Sequence, residues 1–348
     1  MLSNSLDFKL RKLCNKSNIT CLLFILYFLS PIFIFSETLF DIIGNTTDPK
    51  KLIQYVNKLT ISDINEAVLK GTDLDKSNEL NETVLLLIAG HKFDIEILEE
   101  LIKHGAQVNI KTKHGVTPLL LAARKSANEK ILEVLIKAGA EIEIRDKKGR
   151  TPLMLASRDN ENEKILKTLI NSKAIINAYS NNGMTALMFA AYKNTNPRIT
   201  QILIDSGADI NGVDNHGRTP LMHSSRRNPA VEVTTLLIKS NSLIEARSRD
   251  GITALMFAAY GNRNPSIIET LINAGAEINN RTGFMGPTPL IIAAGKSNYS
   301  EIILKLIENG ADHKIKTFGG LTAWNLIQTN VALNYSTAYK KLEQLHSN

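Results

Sequence analysis

Gly115 to Gly139 reads GVTPLLLAARKSANEKILEVLIKAG, and the plan of most of the chain is contained in it. Thr117 followed by Pro118 marks a helix start, because a hydroxyl can accept from an orphan N–H and proline fits the first turn without losing a bond. The stretch PLLLAARK from Pro118 predicts a short, alanine-rich helix whose small side chains let a neighbouring helix come close. After a polar break, Ile131, Leu132, Leu135 and Ile136 recur at helical spacing and predict a second helix with one face to bury. Gly139 then suits the left-handed backbone of a helix end.

The same plan returns along the sequence. GVTPL from Gly115 is followed by GRTPL from Gly149, GMTAL from Gly183, GRTPL from Gly217, GITAL from Gly251 and GPTPL from Gly286. A weaker copy, NETVL, begins at Asn81 and a divergent one, GLTAW, at Gly320. The central threonines fall at 83, 117, 151, 185, 219, 253, 288 and 322, a step of 34 residues with one step of 35. Asp94, Asn128, Asn162, Asn196 and Asn264 stand at one offset as caps of the second helix, each worth about 1 kcal/mol. Gly105, Gly139, Gly207, Gly275 and Gly310 end it, and Asn241 can do the same. Lys173 occupies this position in another copy, where local strain or an irregular turn is expected.

These residues resemble the ankyrin repeat: a Gly-x-Thr-Pro-Leu helix start, an Ala-Ala pair, a leucine-rich second helix and a Gly-Ala-Asp-x-Asn exit, as in Gly207 to Asn211 and Gly275 to Asn279. The resemblance covers about residues 78–340. It implies an all-α solenoid of paired antiparallel helices joined by β-hairpin-like turns, about eight repeats over 78–348 with the last, carrying Trp324 and a polar-faced helix from Tyr339 to Leu345, as a cap. The family's step is about 33. One extra residue per copy therefore belongs in the polar break. The family's usual histidine after Thr-Pro-Leu is replaced by Leu120, Met154, Met188, Met222, Met256, Ile291 and Asn325. Apolar packing is expected to take over from its hydrogen bonds, and the four methionines read as an interior column and not a metal path.

Residues 37–77 lack the pentamer. TLFDII from Thr38, DPKKLIQYV from Asp48 and ISDINEAVLKG from Ile61 have helical spacing and read as a degenerate N-terminal cap, which a repeat array needs to cover its end. Residues 1–36 are of another kind. Lys9, Arg11, Lys12 and Lys16 precede the charge-free run Ile19 to Phe35, the pattern of an export signal. Cleavage after Ser36, with Ile34 two positions before it, and retention as an N-terminal anchor both fit, and both carry the rest of the chain across a membrane. The expectation is therefore a protein that is periplasmic, secreted or membrane-anchored through Ile19–Phe35, and a bacterial origin suits this short basic signal and the abundance of Asn, Lys and Ile.

Length alone, at 348 residues, suggests two or three domains, but repeats that bury their apolar faces only against neighbours form one array. A hydrophobic fraction of 43% excludes wholesale disorder. Both cysteines, Cys14 and Cys21, lie in the leading segment, so no disulfide framework or Cys-based metal site is available downstream. Of the seven histidines, none stands in a metal-binding motif, and His104, His114 and His216 read as solvated turn residues. No phosphate-binding loop, dinucleotide motif or nucleophile elbow is present, so no catalytic residue, metal or cofactor is assigned.

Function then falls to a surface. The family resemblance implies a concave face of hairpins and first helices that binds other proteins. One column near the end of the first helix holds Arg124, Arg158, Tyr192, Arg226 and Tyr260. A hairpin column holds Lys111, Arg145, Tyr179, Val213, Arg247, Arg281 and Lys316. Arginine and tyrosine dominate interface hot spots because both combine area with hydrogen bonding. The expected function is a non-enzymatic scaffold or adaptor binding another protein, with a secreted effector or inhibitor that occludes a target as the alternative, and an enzyme assembled from several repeats as the remote one. Arginine and tyrosine also stack on bases, but an exported chain of net charge +7 in 348 residues is not expected to take nucleic acid.

Overall fold

The computed structural model describes residue 54 and residues 56–90 and 95–347. The export or anchor segment Ile19–Phe35, the site at Ser36, TLFDII from Thr38, most of DPKKLIQYV from Asp48, and Asp94 lie outside the described residues. Every described regular element is a helix. Two compact units are distinguished: residues up to Leu87 together with Glu96–Gln107, and Ile88–Ile95 together with Val108–Asn348.

The first unit contains α1 (Ile61–Leu69), most of α2 (Val84–Ala89) and most of α3 (Ile95–Lys103). Thr60 caps α1 reciprocally with Asp63, satisfying two orphan donors at once. Ile64, Ala67, Val84, Leu85, Leu98 and Leu101 are buried there, and each side chain larger than alanine contributes roughly 1.5–3 kcal/mol by leaving water. His104 ends α3 with its Nε2 2.9 Å from Glu100 Oε1.

The second unit stacks helix pairs. Its first helices are α4 (Pro118–Lys125), α6 (Pro152–Asp159), α8 (Ala186–Lys193), α10 (Pro220–Arg227), α12 (Ala254–Gly261), α14 (Pro289–Lys296) and α16 (Ala323–Ile327). Its second helices are α5 (Glu129–Lys137), α7 (Glu163–Asn171), α9 (Pro197–Asp205), α11 (Val231–Lys239), α13 (Ser266–Asn273), α15 (Ser300–Glu308) and α17 (Thr337–Ser347). Each first helix packs on the next first helix and each second helix on the next second helix. Thr117, Thr151, Thr185, Thr219, Thr253, Thr288 and Thr322 all accept the N–H three residues on, as the repeated threonine predicts. Met154, Met188, Met222 and Met256 are at most 1% exposed and form an interior column.

Packing does not wholly replace the bonds expected to be lost at that column. Met154 Sδ accepts the Thr151 N–H and Met256 Sδ the Thr253 N–H, both at 3.5 Å, and Asn325 Oδ1 accepts the Thr322 N–H at 2.9 Å. A thioether or amide thus still braces the helix start in three copies.

The second helices are capped by Asn128, Asn162 and Asn196, whose Oδ1 atoms accept the N–H two residues on at 3.0–3.1 Å. Asn264 does the same for Ser266 at 3.0 Å, although the helix begins one residue later, after Pro265. At the other end the expected glycines are left-handed, from φ 87° at Gly207 to 96° at Gly275, and Asn241 follows at 67°. Lys173 also takes φ 70°, which costs a residue with a Cβ about 1–2 kcal/mol. The turn around it is regular: Lys173 N–H reaches Ile170 O at 2.9 Å, as Gly139 N–H reaches Ile136 O at 3.0 Å. The misfit is therefore stored in one residue's backbone and not in a distorted turn.

The polar break holds a feature that the cap reading did not contain. Asn160, Asn194, Asn228 and Asn262 are buried, and each Nδ2 donates to two carbonyls of the preceding repeat. Asn228 reaches Ala191 O at 3.0 Å and Asn194 O at 2.8 Å, while its Oδ1 accepts the Ala230 N–H at 3.0 Å. Asn330 repeats the arrangement on Ala294 and Ser297. The break is thus a ladder in which polar backbone that packing would bury finds partners.

The hairpins are hydrogen-bonded turns linked tip to tip. Asn181 N–H donates to Lys148 O at 3.0 Å, Asn215 N–H to Asn182 O at 3.1 Å and Arg249 N–H to His216 O at 2.9 Å. Gly149 and Gly183 sit beneath these links with φ 70° and 76°, and a Cβ on either would strike the amide of Asn181 or Asn215. The single 35-residue step falls in such a tip, where Thr282 N–H spans to Pro287 O and Phe284 is 95% exposed. At the C-terminal end Trp324 lies 5.1 Å from the Tyr339 ring and stacks on His346 at 5.6 Å.

Candidate functional site

A brace at the base of each hairpin sets the local geometry. The residue at this position, Thr112, Asp146, Ser180, Asp214 or Ser248, accepts backbone N–H bonds from across its own turn. Two of these braces are carboxylates, and both are buried. Asp146 Oδ1 accepts the N–H of Lys148 and of Arg150 at 2.9 Å each, and its Oδ2 accepts from Arg150 Nε at 2.8 Å and Nη2 at 2.6 Å. Asp214 Oδ1 repeats the backbone pattern with His216 at 2.8 Å and Arg218 at 2.9 Å. Its Oδ2, however, accepts from His223 Nε2 at 3.0 Å. Burial pushes the Asp214 carboxyl up, but the His223 hydrogen bond and the two backbone N–H groups outweigh it and leave the group below the ordinary carboxylate value.

His223 is there because α10 reads PLMHSSRR where α8 and α12 carry phenylalanine at the same register. Its ring meets Tyr192 edge-on at 6.2 Å. One turn further, Arg226 lies 5.8 Å from the Phe257 centroid and 5.3 Å from that of Tyr260, and Arg218 lies 5.6 Å from Phe257. Such cation–ring contacts contribute about 0.5–1 kcal/mol where exposed and more where water is excluded. Among the described residues neither guanidinium has an ion-pair partner, and the Nε of each is buried without a hydrogen-bond acceptor.

Asp214 and His223 line a cleft of about 330 Å³, with Phe189 and Tyr192 beside them and Lys148, Arg150, Arg158, Arg218 and Arg226 as its cations. Of the residues expected at the first-helix column, the structure brings Arg158, Tyr192 and Arg226 into this cleft. Arg124 and Tyr260 flank it. Arg124 Nε is 3.5 Å from Asp159, which also draws in Arg158 at 3.8 Å and Lys193 at 2.6 Å. Tyr260, 43% exposed, lies under Arg226.

The hairpin column is arranged differently. Arg145 Nη1 donates to Gly149 O at 3.0 Å and to Tyr179 O at 2.5 Å. Arg247 Nη1 donates to Gly251 O at 3.1 Å and Arg281 O at 2.8 Å, and Arg281 Nη2 donates to Lys316 O. These three arginines tie consecutive repeats through backbone carbonyls. Lys111, Tyr179, Val213 and Lys316 are exposed along the same column. His114 and His216 are exposed at hairpin tips, and His216 also borders the cleft.

The sequence reading missed Asp214, His223, Arg218, Lys148 and Phe189. The signal that could have found them is the one copy in which Phe, Ala, Ala and Tyr give way to His223, Ser224, Ser225 and Arg226. Among the described residues, no group of three or more His, Cys, Asp or Glu side chains is placed to hold a metal ion, and no helix is long and apolar enough to cross a membrane.

A family model described as ankyrin repeats, in three copies, matches overlapping stretches at 53–146, 126–214, 153–247, 190–282 and 228–317. No curated protein matches the chain.

Proposed function

The chain belongs to the ankyrin-repeat family, and on that premise we propose that it is a non-enzymatic protein-binding scaffold that receives its partner on the face formed by the first helices and hairpins. The observation that supports this reading most is the row Arg158, Tyr192, Arg226 and Tyr260, which holds one register on consecutive first helices, the first three lining one cleft and the Arg226 guanidinium lying over the Tyr260 ring. Preset side chains of this kind lose little rotamer freedom on binding, which is what makes arginine and tyrosine effective anchors.

The test is charge reversal of Arg124, Arg158 and Arg226 together. Capture of partner protein from native lysate is expected to fall to background while the melting transition stays in place. Undiminished capture by the triple variant would remove this face from the proposal.

The same reading places the scaffold outside the cytoplasm, tethered or released, on the strength of the basic flank and the run Ile19–Phe35. Intact mass separates the two: retention of residues 1–36 in the membrane fraction fits a tethered scaffold, and their loss with appearance in the medium fits a released effector that occludes its target.

A further inference from the structure

The two carboxylate braces of the array are built alike and used differently. Asp146 and Asp214 are two repeats apart, as are Arg150 and Arg218. In the earlier copy the arginine holds its brace through two N–H bonds, from Nε at 2.8 Å and Nη2 at 2.6 Å. In the later copy His223, standing where the earlier copy has Leu155, takes the same carboxylate oxygen at 3.0 Å. Arg218 is thereby released from its carboxylate, and its Nε is buried with no acceptor among the described residues. A buried N–H without an acceptor is costly, by about 1–3 kcal/mol. The structure keeps it in that state at the wall of a cleft.

Three features define what would fill that role. Arg218 lies over the Phe257 ring and Arg226 over those of Phe257 and Tyr260, and the Nε of each is buried, so the Nη ends of the two forks are the part left for a ligand. A planar fork pairs best with a planar, bidentate acceptor. Lys148 and Arg158 add positive charge at the rim, while Phe189 and Tyr192 give apolar cover suited to side-chain methylenes. The buried Asp214 already contributes one negative charge to the floor, which disfavours a dianion more than a monoanion.

We propose that the cleft at Arg218 and Arg226 receives a carboxylate side chain, aspartate or glutamate, from the partner polypeptide, and that His223 opens the cleft to it by holding Asp214 away from Arg218. The assignment rests on the protein-binding reading above and names the chemistry of its anchor.

The test uses the full chain in detergent and three labelled heptapeptides, Ser-Gly-X-Leu-X-Gly-Ser, with X glutamate, glutamine or phosphoserine, followed by fluorescence anisotropy. The glutamate peptide is expected to bind at least about tenfold more tightly than the glutamine peptide, the order of one charge-assisted bidentate pair. Arg218→Gln with Arg226→Gln should abolish that preference. Lys130→Gln with Lys137→Gln, an equal charge change on α5, should leave it intact. His223→Leu should weaken glutamate binding even though it removes no cation, because Asp214 is then free to take Arg218 back as Asp146 takes Arg150. Equal binding of glutamate and glutamine peptides, or a preference that survives the double arginine variant, would overturn the proposal. So would a phosphoserine peptide that binds where glutamate does not. Should partner capture prove sensitive to Arg124, Arg158 and Arg226 but indifferent to Arg218→Gln, the carboxylate assignment would fall and the protein-binding reading would stand.

Discussion

TALMFAAY occurs twice, at Thr185–Tyr192 and at Thr253–Tyr260, and between these two identical segments the stack carries TPLMHSSR at Thr219–Arg226. The three share what joins repeats to one another. Thr219 accepts the Met222 N–H at 3.3 Å as Thr185 accepts that of Met188 at 3.4 Å, and Leu221 and Met222 are as deeply buried as their counterparts. They differ in what the helix does with its remaining positions. Where the flanking copies bury Phe, Ala and Ala, the central one buries His223, Ser224 and Ser225. The frame of the array and its chemistry are thus set by separate residues. A repeat can exchange an apolar interior for a polar one without leaving the stack when most of its buried polar atoms find partners.

The severest way to break this comparison is to attack what the copies share. Asn228→Ala removes two donors to buried carbonyls and one acceptor, and should destabilise the array by about 3 kcal/mol, read as the shift in a urea midpoint. A loss no larger than that of an exposed substitution would mean that the ladder is ornamental.

A smaller effect is expected from the chemistry peculiar to the central copy. Asp214→Asn should cost about 1–2 kcal/mol at neutral pH by weakening the His223 and backbone N–H bonds. Because the Asp214 carboxyl is held below its ordinary value in the folded chain, its contribution is complete above the unfolded pKa of about 3.9 and is lost as pH falls through the lower, folded one. The gap between wild type and variant should therefore close below about pH 4, and a gap that stays constant down to acid pH would show that ionisation of Asp214 plays no part.

The smallest effect has the opposite sign. Ser225 Oγ is buried and has no hydrogen-bond partner among the described residues, whereas Ser224 Oγ donates to Leu221 O at 3.0 Å and accepts from Thr234 Oγ1 at 3.2 Å. Restoring the alanine of the flanking copies by Ser225→Ala should raise stability by about 1 kcal/mol. Ser224→Ala should not. Equal responses of the two serines would blur the distinction between satisfied and unsatisfied polar positions on which the comparison depends.

What could be read from the sequence followed from periodicity. Thr117 and its equivalents, the glycines from Gly105 to Gly310 and the methionine column repeat at a fixed step, so one local argument serves every copy. Lys173 was legible for the complementary reason, as a residue with a Cβ where the pattern asks for none. The ladder was not read because its asparagines stand two residues before the capping asparagines: a second polar residue in a polar break looks like solvated loop until the preceding repeat's carbonyls are seen above it. The cleft was less legible still. His223 and Asp214 are nine residues apart and meet across a hairpin, and the release of Arg218 is visible only when its geometry is set against that of Arg150. Sequence placed Arg158, Tyr192 and Arg226 on one row, but the side chains that shape the space between them came from positions outside the two columns read there.

The asparagine ladder bears on how such a chain changes over generations. Asn194, Asn228 and Asn262 each donate backward to one repeat, and Asn194 and Asn228 offer their own carbonyls to the asparagine of the next. The joint on either side of such a rung is therefore the same joint. Unequal recombination that adds or removes a whole 34-residue unit within this stretch rejoins matching donors to matching acceptors, whereas an insertion of another length keeps the rungs aligned only where a hairpin tip absorbs it, as at the 35-residue step. Copy number is thereby left open to inheritance, while the cleft, which draws Arg158, Tyr192 and His223 from successive copies in a fixed order, survives only those exchanges that keep its three repeats together.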